Sequence, residues 1–187
     1  MMKAAKSLFT PPLINGVSAS KVFLPNDVSE LTIFEYLCVQ FPHIQAIEWQ
    51  QRFEDGLIYA SDGMKLSIQD RYTPNTFIFY YRFLAHEIHV PFEHQILFED
   101  EHLLVVDKPH FLTMSPTGQY VQETLLVRLK KQTGYAELTP IHRLDRETAG
   151  VVLFCKKAES RGIYQQLFAE RQVQKTYHAI PAYRQEL

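Results

Sequence analysis

His142-Arg143-Leu144-Asp145-Arg146-Glu147-Thr148-Ala149-Gly150 runs straight into the apolar pentapeptide Val151-Val152-Leu153-Phe154-Cys155. A charged nonapeptide that ends on glycine and opens a continuous apolar run reads as a loop entering a buried strand. Its single aspartate stands between two arginines. Opposite charge at close range lowers the cost of holding a carboxylate ionised in a partly closed site, which makes Asp145 a candidate catalytic anion. For an arbitrary Asp-Arg pair a solvated turn with local ion pairs is the commoner outcome, so the surrounding chain must decide.

Composition bounds the answer first. The chain has 187 residues and is 46% hydrophobic, enough for one good core or two small ones. No apolar run approaches the ~20 residues of a membrane span, and the N-terminus MMKAAKSLFTPPLING lacks the apolar core of a secretory signal. A cytoplasmic protein without membrane contact is expected. Cys38 and Cys155 each lie in an apolar run and read as small core residues. His86, His89 and His94 have no zinc-type partner set, so no metal site is expected. The net charge of −2 conceals an asymmetry. Residues 31–92 carry four basic and seven acidic side chains, whereas 128–175 carry ten basic and five acidic. The positive field surrounds the nonapeptide, as a polyanion-binding site requires.

Outward from that loop, three regions follow. Residues 1–30, with Pro11, Pro12, Gly16 and Pro25, read as an irregular arm. Residues 31–92 read as a small α+β domain with helices over Leu31–Phe41 and Ile44–Phe53, and Gly56 suits a left-handed cap. Strands are expected at Leu57–Ala60, Lys65–Ile68 and Phe77–Phe83, and Ala85–Pro91 reads as a linker. Residues 93–187 read as a mixed α/β unit. Its strands are Ile96–Glu99, Leu103–Val106, Val151–Cys155 and Gln174–Ala182. Its helices run from about Gln122 to Lys131, closed by Gly134, and from Ala158 to Arg171. Pro109 removes a backbone donor, so pairing stops after Asp107-Lys108 and HFLTMSPTG leaves the sheet.

Three segments of the last unit resemble the RluA-type RNA pseudouridine synthases. ILFEDEHLLVVDKPHFLTMSP resembles the opening strands and D-K-P loop, HRLDRETAG the catalytic-loop signature, and QKTYHAI the strand bearing an active-site tyrosine. Phe111 stands where the family usually has a glycine, two residues after the loop proline, and Ala149 replaces the commoner serine. The resemblance implies an α+β fold: the first half of a pseudouridine synthase catalytic domain, with a mixed or antiparallel sheet and helices, behind a small N-terminal accessory region. Family members continue for roughly another hundred residues, so 93–187 is expected to be the N-terminal half of that domain. The order of elements in 31–92, with W-x-x-R-F-x-x-G-L-I from Trp49, faintly resembles the RNA-binding module named after the fourth protein of the small ribosomal subunit. The net acidity of this region departs from that module.

By the same resemblance the activity is isomerisation of uridine to pseudouridine in ribosomal or transfer RNA, with no cofactor. Asp145 is the catalytic carboxylate, and Tyr177 stacks on uracil and assists removal of the C5 proton. Arg143 fills the space of an extruded base, Arg146 supports the loop more than it touches RNA, and Lys108 and Lys175 are candidate phosphate contacts. His142 reads as a structural hydrogen-bonding residue, and a monomer is expected for the complete protein. Two rivals stand beside this reading. One is a non-catalytic RNA-binding protein that retains the motif. The other is a glycosidase, which would need a second carboxyl such as Glu147 in the right place.

Overall fold

The computed structural model describes residues 9–28, 30–84 and 86–179. Two antiparallel sheets organise them. The first joins β1 (Ser20–Leu24), β2 (Ile58–Ala60) and β3 (Thr76–Tyr80) in the order β1-β3-β2. Helices α1 (Ile33–Gln40) and α2 (Ala46–Glu54) pack on its inner face. Thr32 accepts from Glu35 N and the Glu35 carboxylate accepts from Thr32 N, a reciprocal cap that fixes the start of α1. Period-2 alternation then sends Leu24, Ile58, Ile78 and Tyr80 inward onto Leu37, Trp49 and Phe53. Gly56 ends α2 with φ of +65°, as expected.

Three expectations for this half need correction. The stretch read as an irregular arm holds β1, whose run Val22-Phe23-Leu24 hides its alternation because Phe23 points outward at 46% exposure. Lys65–Ile68 is not a strand: along the outer edge of β2, Lys65 makes one isolated bridge to Tyr59, and the pairing ends at Leu66, whose N donates to the Ile58 carbonyl at 2.9 Å. The aromatic strand spans Thr76–Tyr80, starting and ending before the expected Phe77–Phe83.

The second sheet contains β4 (Gln95–Glu99), β5 (Leu103–Lys108), β6 (Thr139–Pro140) and β7 (Gly150–Cys155), in the order β4-β5-β7-β6. Leu104, Val106, Val152 and Phe154 form an apolar core with Leu125 and Leu129 of helix α3 (Leu125–Thr133). Thr124 caps the start of α3, and Gly134, with φ of +75°, closes it. Helix α4 (Ala158–Ala169) follows β7. The pairing of β5 with β7 sets Lys108 opposite Gly150, so the loop leaving β5 and the loop entering β7 lie side by side. This register builds the site. The strand expected over Gln174–Ala182 is absent in 174–179, where no backbone pairing with the described residues stabilises an extended segment. Residues 180–182 lie outside the described residues.

The segment read as a linker is docked. The Glu87 carboxylate accepts from the backbone N–H groups of Val121, Gln122 and Glu123 at 2.6, 2.9 and 2.8 Å, immediately before the cap of α3. Glu123 accepts from Val90 N, and Arg128 donates to the carbonyls of Val90 and Phe92. Backbone donors at a helix start favour an anion. Glu87→Gln is expected to lower stability by about 1 kcal/mol, read as a lower urea midpoint with an unchanged slope.

Candidate active site

The nonapeptide is a turn held at both ends. Thr148 N donates to the Asp145 carbonyl at 3.1 Å, and Ile141 N donates to the Leu153 carbonyl at 2.9 Å. His142 Nε2 accepts from Leu153 N at 3.2 Å, and its ring stacks on Phe168 with centroids 4.7 Å apart. Burial, with Lys175 nearby, pushes the imidazole below its ordinary value. A neutral ring is what an accepting Nε2 requires, which fits the structural role expected for His142.

Lys108 has a different place from the one expected. Its side chain is fully buried, and Nζ donates to the carbonyls of Pro109 at 3.0 Å, Leu112 at 2.9 Å and Arg146 at 3.2 Å. A lysine with no exposed surface and three donors engaged does not meet a phosphate, contrary to the contact expected from the sequence. It works instead as an internal clip that joins the loop after β5 to the loop before β7. Removal from water pushes the ammonium down to about 8, against the pull of Glu147 and Asp145. His110 adds a second tie, its Nδ1–H donating to the Glu147 carbonyl at 2.6 Å.

Asp145 sits exposed on this loop. Among the described residues no ion pair joins it to either flanking arginine. The Arg146 guanidinium turns instead to Glu147 at 3.2 Å and over the rings of Phe111 and Tyr120. Arg143, also exposed, borders a cleft of about 750 Å³ together with Tyr120, Leu144, Arg146 and the loop from Thr113. Across the loop, a second cavity of about 510 Å³ is bordered by Tyr177, Lys175, Leu144, Thr148 and Gly150. The Lys175 ammonium lies 5.0 Å over the Phe168 ring, and Tyr177 is 64% exposed. The structure therefore brings Tyr177 and Lys175 to one side of the loop and Arg143 and Arg146 to the other. His142 and Leu144 border both cavities.

Residues 102–185 match the family described as RNA pseudouridylate synthase. Relatives that cover this segment include a dual-specificity RNA pseudouridine synthase, RluA, of Haemophilus influenzae, 39% identical over 87 residues, or 46% of this chain and 38% of that protein. This segment is similar to the RluA-type RNA pseudouridine synthases. A tRNA pseudouridine(31) synthase of Saccharomyces cerevisiae is 38% identical over 84 residues, 45% of this chain and 20% of that protein. An uncharacterized RNA pseudouridine synthase of Synechocystis sp. is 29% identical over 148 residues, 79% of this chain and 50% of that protein. The chain spans half the length of the Synechocystis relative and less of the others.

Sequence reasoning gives no role to His110, Phe111, Tyr120 or Phe168. Phe111 alone left a signal, as an aromatic where the family has glycine. His110 acts across the loops joined by the β5–β7 register, Phe168 by stacking on His142 from α4, and Tyr120 beneath the Arg146 guanidinium, contacts that no local spacing reports.

Proposed function

We propose that this chain is the N-terminal part of an enzyme that isomerises uridine to pseudouridine in ribosomal or transfer RNA, with Asp145 as the catalytic carboxylate. The observation that carries the reading is the pinned loop: an exposed aspartate on a turn clipped by Lys108 and His142, with a cavity on either side. Breaking the bond between uracil and C1′ develops positive charge on the ribose, which a fixed carboxylate stabilises or traps covalently. Tyr177 borders the Lys175 cavity and stacks there on the detached base. Arg143, across the loop, occupies the space left when the uridine is extruded, its planar cation stacking as well as pairing. Arg146 supports the loop, and Lys175 meets phosphate. The reaction is an isomerisation, so no cofactor or redox partner is called for.

Residues 31–92 with β1 form the accessory unit of this reading, and 93–187 the first half of the catalytic domain. The complete protein is a cytoplasmic monomer. Among the described residues no helix is long and apolar enough to cross a membrane. The test incubates uridine-containing RNA with the wild-type chain and with Asp145→Ala, then maps pseudouridine by carbodiimide-blocked primer extension. Product from wild type alone supports the assignment, and product from both sinks it. Salt-dependent RNA binding without product from wild type favours a binding role for the chain by itself.

A further inference from the structure

Phe111 sits in a backbone conformation that favours glycine. Its φ is +64°, the left-handed region, where a Cβ crowds the neighbouring carbonyl. Burial in the core does not offset the strain, because Phe111 is 45% exposed while Lys108 and Leu112, before and after it, are fully buried. The strain serves to turn a large apolar ring outward.

What surrounds the ring narrows its use. Phe92, also 46% exposed, lies with its ring centroid 6.0 Å away, and His110 lies at 5.9 Å. The Arg146 guanidinium stands 6.0 Å over the Phe111 ring and 5.5 Å over that of Tyr120, at the rim of the cleft that Arg143 borders. The tip is also rigid. Lys108 Nζ holds the carbonyls of Pro109 and Leu112, before and after it, and ties them to the Arg146 carbonyl, while His110 holds Glu147. Phe111 is thus fixed relative to the loop that carries Asp145. An exposed, rigidly mounted aromatic face beside an exposed guanidinium matches an unpaired nucleobase and its phosphate: the base gains a stacking partner and the phosphate a planar cation.

We propose that Phe111, backed by Phe92 and Arg146, is a stacking platform for an unpaired base next to the uridine held at Asp145. It rests on the reading of the cleft as an RNA site, and makes single-stranded or loop RNA the preferred substrate class. Stacking uses the face common to all bases, so the platform reads that a neighbour is unpaired and not which base it is.

Binding of two fluorescein-labelled probes tests it: octauridylate, and an octamer of abasic ribose phosphates. Phe111→Gly relieves the strain and deletes the ring. It is expected to weaken octauridylate binding about tenfold, to leave the abasic octamer and the salt dependence unchanged, and to keep the melting temperature at or above that of wild type. Phe111→Trp is expected to restore binding to within about twofold of wild type. The proposal is overturned if Phe111→Gly binds octauridylate as wild type does, weakens both probes equally, or lowers the melting temperature, since the ring would then be structural. If wild type binds neither probe, the RNA reading of the cleft falls with it. Binding by wild type that Phe111→Gly leaves intact overturns the platform alone.

Discussion

Asp145→Asn is expected to lower pseudouridine formation at least about a thousandfold, a barrier increase of roughly 4 kcal/mol. The amide matches the carboxylate in size but has no charge to stabilise a developing oxocarbenium ion and forms no ester with C1′. Almost nothing else should change. Asp145 is exposed, and among the described residues its side chain makes no hydrogen bond or ion pair, so the fold loses no contact. Removing one negative charge beside a polyanion leaves RNA affinity equal or slightly higher. Three readings on the same variant separate the possibilities: product by primer extension, affinity by fluorescence anisotropy, and the melting temperature. Turnover within about tenfold of wild type removes Asp145 from the chemistry, and a fall in melting temperature together with turnover makes it a structural residue.

Much of the second half of the chain is legible in the residues because its signals are local. Thr124 and Gly134 punctuate α3, Pro109 ends pairing after β5, and the apolar run from Val151 predicts β7. The N-terminal sheet is less legible for a physical reason: its outer face is aromatic. Phe23 and Phe77 pair across β1 and β3 with centroids 5.1 Å apart, and Lys21 lies over Phe77 at 3.8 Å. Apolar residues on both faces erase the period-2 pattern that would have announced β1. At the site, motif and sequence order identify the loop but not the directions of its side chains. Arg146 adjoins Asp145 in sequence yet turns to Glu147, Phe111 and Tyr120, because successive residues of a turn point different ways. Charge alone offers Lys108 to a phosphate. Only the register that sets it opposite Gly150 reveals that it is an internal clip.

That clip gives the second large effect. Lys108→Met keeps the length of the side chain but removes all three donors, freeing the carbonyls of Pro109, Leu112 and Arg146 from their shared tie. Of its ties to the loop after β5, the loop carrying Asp145 then keeps only that from His110 to Glu147, and a shift of about 1 Å in a reacting group costs on the order of a hundredfold in rate. Activity of Lys108→Met near pH 7 is expected to fall by about that factor. The pH dependence identifies the cause. The folded ammonium titrates at about 8 and the unfolded one near 10.5. At pH 7 both states bind the proton. Between about pH 8 and 10.5 the unfolded state binds more, so the contribution of Lys108 to stability rises with pH across that window, by roughly 3 kcal/mol in all. Activity moves the other way. A neutral amine keeps two N–H groups for three carbonyls, so one tie is released and turnover declines as pH rises through about 8. Opposite trends in stability and turnover over the same window, both missing from Lys108→Met, mark the clip. If the variant shows the same alkaline gain in stability as wild type, the titrating group is not Lys108 and the argument for it fails.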